Sequence, residues 1–117
     1  MPMPPVVVFS TTSDIEASVV LALLAPPLPA QDIAQRDLGK RLFTTTVPAC
    51  SVCHTLKDAG TEGRVGPVLD ELKPDAARVA KALRDGIGNM PSFRATLSAA
   101  EIEALAFYVS RASGGEP

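Results

Sequence analysis

The chain has 117 residues, of which 13 are acidic, 11 are basic and one is a histidine, giving a net charge of −2 at pH 7. So small a charge argues against nucleic acid or an anionic membrane as a partner. The length predicts one domain, and the hydrophobic content of 46% is typical of a globular protein. The only two cysteines stand three positions apart, which excludes a disulfide framework.

Residues 1–30 differ from the rest of the chain in composition. They hold two acidic residues, no basic residue and six of the eleven prolines. The apolar run at residues 19–25 is too short to span a bilayer but suits the hydrophobic region of a secretory signal. We therefore expect residues 1–30 to be a leader for export to the periplasm, and residues 31–117 to be the domain. The alternative is a Pro-rich extension that stays attached, because this leader has no Lys or Arg and carries the large Leu28 near its end.

The domain is predicted to begin with a helix that runs to about Phe43 and has Asp32 as its N-cap. Gly39 and Phe43 form one row along this helix. An adjacent apolar row repeats every four positions, at Ala34, Leu38 and Leu42. Glycine inside a helix costs about 1 kcal/mol relative to alanine, so Gly39 predicts the close approach of another element.

The pentapeptide Cys50-Ser51-Val52-Cys53-His54 contains every cysteine and the only histidine of the chain. C-x-x-C-H is the attachment signature of a c-type haem. The two sulfurs form thioether bonds to the porphyrin, and cysteines three apart lie on one face of a helical turn. The motif therefore predicts one covalently attached haem c, bound through Cys50 and Cys53, with His54 as an iron ligand.

Two other sites use similar motifs. A structural zinc site needs about four nitrogen or sulfur ligands, and the chain has three such side chains among its cysteines and histidine. A redox-active C-x-x-C normally lies at a strand-to-helix junction in a βαβ unit, and nothing downstream predicts alternating strands and helices. Both alternatives remain, but the segments that follow favour haem.

Residues 57–66 are rich in glycine and charged side chains, which predicts a loop that ends at Gly66-Pro67. A ligating histidine needs a hydrogen-bond acceptor for its other ring N–H, because that contact fixes the tautomer. Proline lacks an N–H but keeps its carbonyl oxygen. We expect the Pro67 carbonyl to serve His54; the alternative is that Gly66-Pro67 forms a simple turn.

Two more helices are predicted towards the C-terminus. The first spans residues 74–85, with Pro74 in its first turn and Ile87 continuing its apolar row, which consists of Ala76, Val79, Ala80 and Leu83. The second follows Ser98, which forms a capping box with Glu101, and ends at Gly114. Its predicted buried stripe consists of Ile102, Leu105, Ala106 and Val109.

Met90 lies in the loop between these helices and is the expected second iron ligand. His54 is the only histidine, so two histidines cannot bind the iron within one chain. The other methionines, Met1 and Met3, lie in the predicted leader. Methionine in a core fills gaps on a helix stripe, whereas Met90 is held between a glycine-containing loop and Pro91. Histidine–methionine ligation is a common pairing for electron-transfer haems.

From residue 31 to Gly114 the sequence resembles a small class I cytochrome c. The likeness rests on four motifs in the family's order, at residues 39–43, 50–54, 66–67 and 90–91, and on Leu105 and Tyr108 in the last helix. The resemblance implies an all-α fold of about four helices around one haem, with the N- and C-terminal helices crossing at Gly39. It also implies that Cys50, Cys53, His54, Pro67 and Met90 bind the cofactor, and that His54 and Met90 bind the iron. The tryptophan that holds a haem propionate in many members has no counterpart here, because the chain has none.

Four segments, residues 39–43, 50–55, 66–72 and 90–93, also resemble small bacterial cytochromes that accept electrons from periplasmic sulfite dehydrogenases. This resemblance implies a soluble, monomeric one-electron carrier that passes electrons from a dehydrogenase to an oxidase or another acceptor. No nucleic-acid partner and no stable membrane insertion are expected, given the small net charge and the short apolar run. No enzymatic activity is expected either, because an iron with both axial positions filled has no place for a substrate. Two alternatives stay open: a fixed electron-transfer subunit of a larger dehydrogenase complex, and an enzyme with a labile Met90 assisted by Arg84 or Arg94.

Overall fold

The computed structural model describes residues 28–116, so most of the predicted leader lies outside the described residues. Five α-helices occur in this part of the chain: α1 (Leu28–Thr45), α2 (Cys50–Cys53), α3 (Leu69–Leu72), α4 (Ala76–Asp85) and α5 (Ala99–Ser113). A small antiparallel hairpin follows α2, and its strands are β1 (Thr55–Leu56) and β2 (Thr61–Glu62), with a 3-10 turn between them. The predicted class, all-α with about four helices, is confirmed. The hairpin falls largely within the predicted loop at residues 57–66, and the short α3 lies between that loop and the helix predicted at residues 74–85.

Helix α1 begins earlier than predicted. Asp32 was expected to be its N-cap, but the helix already starts at Leu28, so this prediction is wrong. Proline is compatible with a first helical turn because its missing N–H has no partner there, and Pro29 therefore does not stop the helix. The buried side of α1 is the row that contains Gly39 and Phe43, whereas Ala34 of the other predicted row is exposed.

The terminal helices α1 and α5 cross at Gly39, as predicted. A Cβ atom added at Gly39 would lie 2.5 Å from Tyr108 Cβ and would overlap the backbone carbonyl of Ala104. Four residues along α1, the Phe43 ring meets the Tyr108 ring edge-on, with 6.1 Å between centroids and 68° between planes. The glycine thus lets two helix backbones approach closely enough for these rings to pack.

The capping signals at the other helices explain where they begin and end. Ser98 Oγ accepts from the Glu101 backbone N–H at 3.1 Å, while the Glu101 carboxylate accepts from the Ser98 N–H at 2.9 Å, so the predicted capping box is present. Gly114 ends α5 with a φ of +86°. Helix α4 is capped by the Asp75 side chain, which accepts from Arg78 N–H at 2.8 Å, so Pro74 precedes the helix instead of lying in its first turn.

The hydrophobic core joins α4, α5, α1 and the segments around the hairpin. Its largest fully buried side chains are Tyr108, Phe43, Leu56 and Leu105. The predicted stripe of α5 is buried, but Ile87, expected to extend the α4 row, is 67% exposed because α4 ends at Asp85. Among residues 28–116, no helix combines the length and the apolar character that crossing a membrane requires.

Candidate functional site

His54 follows the single-turn helix α2 and is held from two sides. Its backbone N–H donates to Cys50 O at 2.9 Å, and its own carbonyl accepts from Thr61 Oγ1 at 3.0 Å across the hairpin. On the ring, Nδ1 lies 2.8 Å from the Pro67 carbonyl oxygen. A carbonyl only accepts, so Nδ1 carries the proton, and Nε2 keeps the free lone pair that a metal needs.

Two glycines, Gly63 and Gly66, let the next loop approach the motif, and only the approach at Gly66-Pro67 was predicted from the sequence. A Cβ at Gly63 would lie 2.6 Å from the backbone of Cys53 and His54. A Cβ at Gly66 would lie 2.5 Å from His54 Cε1, while the Gly66 N–H donates to Cys53 O at 2.7 Å. The loop therefore passes directly against the imidazole, which brings the Pro67 carbonyl to Nδ1.

Met90 occupies a tight loop after α4. Met90 and Ile87 exchange backbone hydrogen bonds of 2.9 and 3.0 Å, and the Phe93 N–H donates to Leu83 O at 2.7 Å. Gly86 opens the loop with a φ of +75°, a conformation that glycine adopts at little cost. Met90 is half-buried and packs against the core.

A single cleft of about 540 Å³ brings together all five residues that the sequence singled out: Cys50, Cys53, His54, Pro67 and Met90. Much of the rest of its lining is apolar, supplied by Phe43, Leu69, Leu83, Phe93, Leu105 and Val109. Three charged residues of α4 also line the wall, and two of them, Lys81 and Asp85, are paired at 3.3 Å, while the third is Arg78. The cleft thus combines two thiols, an imidazole and a thioether with an apolar interior.

Cys50 does not have the lowered thiol pKa of a redox-active cysteine. Both are free thiols, and burial raises the pKa of the Cys50 thiol to about 11. A reactive C-x-x-C needs the opposite, a lowered pKa that provides thiolate at neutral pH. The thiol chemistry of Cys50 therefore argues against the dithiol alternative.

Neither arginine proposed for the enzyme alternative lies on the cleft lining. Arg84 and Arg94 instead border a separate pocket of about 210 Å³ beside Leu97 and Ile102. The Arg94 guanidinium is also engaged, 3.2 Å from the Asp85 carboxylate. The two arginines that the enzyme alternative names therefore do not line the cleft that contains Met90.

Comparison with known proteins places this geometry in a family. Residues 34–109 match the family model described as "Cytochrome C oxidase, cbb3-type, subunit III". The chain belongs to the cytochrome c family. The c-type cytochrome SorU from Sinorhizobium meliloti, solved by crystallography, is 49% identical, with a TM-score of 0.67 over 71% of this chain and 95% of SorU. The expected likeness to small bacterial c-type cytochromes is confirmed, and family membership implies a covalently bound haem c and electron transfer.

The cleft of this cytochrome fits such a group on its own geometry. Its volume is within the range of about 300–1,000 Å³ that cofactor and ligand pockets occupy. The imidazole tautomer leaves Nε2 available, and the thiols lie on the same turn that ends at His54. The apolar lining suits a porphyrin, and the Arg78 guanidinium on the wall suits one of its carboxylates.

A further contact near the motif joins it to α5. Asp58, four residues after His54, accepts a hydrogen bond from the Tyr108 hydroxyl at 2.7 Å. Lys40 and Arg36 of α1 lie 3.5 and 3.3 Å from the same carboxylate. The sequence analysis included Tyr108 in the family's C-terminal motif. No sequence pattern predicted its hydrogen bond to Asp58, which lies 50 residues earlier in the chain.

Proposed function

We propose that this cytochrome is a one-electron carrier that holds one haem c through Cys50 and Cys53, with His54 and Met90 as iron ligands. The observation that carries the proposal is the convergence of these four side chains, from two separate segments, on one cleft. When bound, the haem supplies an iron that changes between the ferrous and ferric states. The proposed domain is residues 31–117, after a leader that directs the chain to the periplasm.

The residues of the chain adjust the reduction potential in three ways. The Pro67 carbonyl holds Nδ1–H of His54, which fixes the ring and raises the basicity of Nε2. The Met90 thioether favours the reduced metal and so raises the potential. The apolar lining excludes water, which disfavours the extra positive charge of the ferric state.

Met90 gives the sharpest test of the ligand assignment. Met90→Ala should lower the reduction potential by a substantial part of the roughly 0.8 V that axial ligands span, because the thioether is lost. The variant should also bind cyanide readily. Ile33→Ala, a change of an exposed side chain on α1 that does not line the cleft, is the control and should keep the wild-type potential. A Met90→Ala protein with the wild-type potential would show that Met90 only packs the loop.

The surface around the cleft suits transient docking to a redox partner. Val47 and Val52 are 79% and 65% exposed beside the haem motif, and Pro48 and Pro91 are also exposed. Residues 31–117 carry eleven acidic and eleven basic side chains, so no strong field directs docking. A carrier needs fast release, so we expect an interface under about 1,200 Å².

The specific donor in this proposal is a periplasmic sulfite dehydrogenase, with an oxidase downstream, on the strength of the motif resemblance. Stopped-flow reduction of the ferric protein by a sulfite dehydrogenase and sulfite should be faster than by an unrelated dehydrogenase with its own substrate. Added salt should slow it only mildly, since the domain is nearly neutral. Equal rates with both donors would remove the sulfite assignment and leave the carrier function.

A second candidate is a fixed electron-transfer subunit of a larger complex. The description of the matched family model as an oxidase subunit favours it. Native material from the source cell would then elute at the size of a complex, whereas a free carrier elutes as a single small chain.

A further inference from the structure

The last turn of α4 is capped by residues that follow Met90 in the chain. The final carbonyls of any helix lack partners within the helix. In α4, Leu83 O accepts from the Phe93 N–H at 2.7 Å, and Arg84 O accepts from the Ser92 hydroxyl at 2.5 Å. Two orphan carbonyls are therefore satisfied only while the Met90 loop is folded back against the helix.

Arg94 makes further, weaker contacts with the same end of α4. Its Nε lies 3.4 Å from Arg84 O, and its guanidinium lies 3.2 Å from Asp85. Both side chains of this ion pair are about half exposed or more, and such pairs contribute little. The Ser92 hydroxyl also accepts from the Arg94 N–H at 3.2 Å, so Ser92 is the centre of the contact.

The loop between α4 and Ser92 has little freedom to close in another way. A Cβ at Gly86 would lie 2.9 Å from both Met90 O and Ser92 N, so the start and end of the loop are in direct contact. The hydrogen bonds between Ile87 and Met90 close its tip. Moving Met90 out of the cleft would therefore require the tip or its anchor to open.

We infer that Ser92 is a positioning residue for Met90: by capping α4, its hydroxyl holds the distal loop closed and limits displacement of Met90 by other ligands. The inference rests on the proposed role of Met90 as an iron ligand. Ser92 itself is exposed and does not line the cleft, so it acts through the backbone of the loop.

Competition with an added ligand measures this effect directly. Imidazole reaches the ferric iron only in the open state of the loop, so its apparent affinity is proportional to the open fraction. Loss of one ordinary hydrogen bond that exists only in the closed state should raise a small open fraction by about fivefold. The same factor should appear in the apparent affinity for imidazole.

The experiment is a titration of the ferric holoprotein with imidazole, followed by its absorption spectrum. Ser92→Ala should bind about fivefold more tightly than the wild type, while Ser92→Thr, which keeps the hydroxyl, should restore the wild-type affinity. Thr44→Ala is the matched control. It removes an exposed hydroxyl that donates to a helix carbonyl, Arg41 O at 3.1 Å, in α1, and Thr44 does not line the cleft. This control should leave imidazole affinity unchanged.

Two results would overturn the inference, and they are distinguishable. If the wild type shows the iron–thioether absorption band but Ser92→Ala binds imidazole with unchanged affinity, Ser92 does not position Met90 and the proposed function stands. If the wild type lacks that band and binds imidazole as tightly as Met90→Ala does, the ligand role of Met90 fails and the inference falls with it.

Discussion

At the scale of single residues, Asp58 joins the haem motif to both terminal helices. The hydrogen bond from Tyr108 is the main cause that holds the pKa of Asp58 below its ordinary value, and the charges of Lys40 and Arg36 act in the same direction. Burial, together with the Asp58 carboxylate, raises the pKa of Tyr108 well above its ordinary value. The pair is therefore kept as a neutral phenol and a charged carboxylate.

These two pKa shifts make the stability of the folded protein depend on pH, in acid through Asp58 and in alkali through Tyr108. Because the folded-state pKa of Asp58 is lowered, its contribution is complete above its ordinary value of 3.8 and is lost as the pH falls further. Because the folded-state pKa of Tyr108 is raised, its contribution is complete below its ordinary value of 10.0 and is lost as the pH rises beyond it. Holoprotein stability should thus be greatest between these values.

Tyr108→Phe should lower the free energy of unfolding at pH 7 by about 1–2 kcal/mol, because it removes a hydrogen bond to a charged acceptor. The loss of stability below pH 4 should become shallower, since Asp58 then titrates closer to its ordinary range. Chemical denaturation of the holoprotein at several pH values measures both effects. The single variant Asp58→Asn and the double variant with Tyr108→Phe complete a double-mutant cycle. If the losses in the free energy of unfolding of the two single variants add up to that of the double variant, Tyr108 and Asp58 do not interact directly.

At the scale of secondary-structure elements, the sequence predicted those helices whose ends are determined by capping residues close in the chain. The capping box at Ser98 and the glycine at 114 act within a few residues, and α5 has the predicted ends. Helix α3 has four residues, too few to be stable alone, and it depends on tertiary contacts such as burial of Leu69. The hairpin likewise depends on Thr61 Oγ1 bonding to His54 O. No sequence pattern encodes such partners.

The candidate site likewise has features that the sequence predicted and features that it did not. The meeting of Cys50, Cys53, His54 and Met90 at one cleft was predictable, because few residue types can bind a haem and the chain offers few alternatives. The contacts that place them were not predictable, because Gly63 and Ser92 act through backbone atoms of other segments. Pro67 is intermediate: the need for a carbonyl acceptor was evident, and the structure has that contact.

Gly39 is the residue on which the crossing of α1 and α5 depends. Gly39→Val would place a branched side chain against Ala104 and Tyr108, where even one Cβ overlaps the backbone. We expect a loss of 1–3 kcal/mol, typical of overpacking. Ala34→Val is the control, since Ala34 is exposed on the same helix and the change costs at most about 0.7 kcal/mol in helix propensity. Denaturation of both holoproteins tests this, and a Gly39→Val loss no larger than the control would contradict the crossing.

At the scale of the whole molecule, the fold is arranged around its cleft. Three aromatic side chains, Phe43, Phe93 and Tyr108, are buried in the described residues, and the first two also line the cleft. A domain of this size buries a small core and gains little stability from it. A covalently attached apolar group supplies the missing centre, as disulfides do in other small domains. We therefore expect the variant that lacks both attachment cysteines to be less stable than the wild type.

The most direct test of the central claim is whether the chain carries haem covalently. The protein, co-expressed with a cytochrome c maturation system and then denatured, should have an intact mass one haem above that of its polypeptide. The variant with Cys50→Ser and Cys53→Ser should have the mass of the bare polypeptide, because it lacks both attachment sulfurs. A wild-type mass equal to that of the bare polypeptide, under conditions in which a known c-type cytochrome matures, would contradict the account.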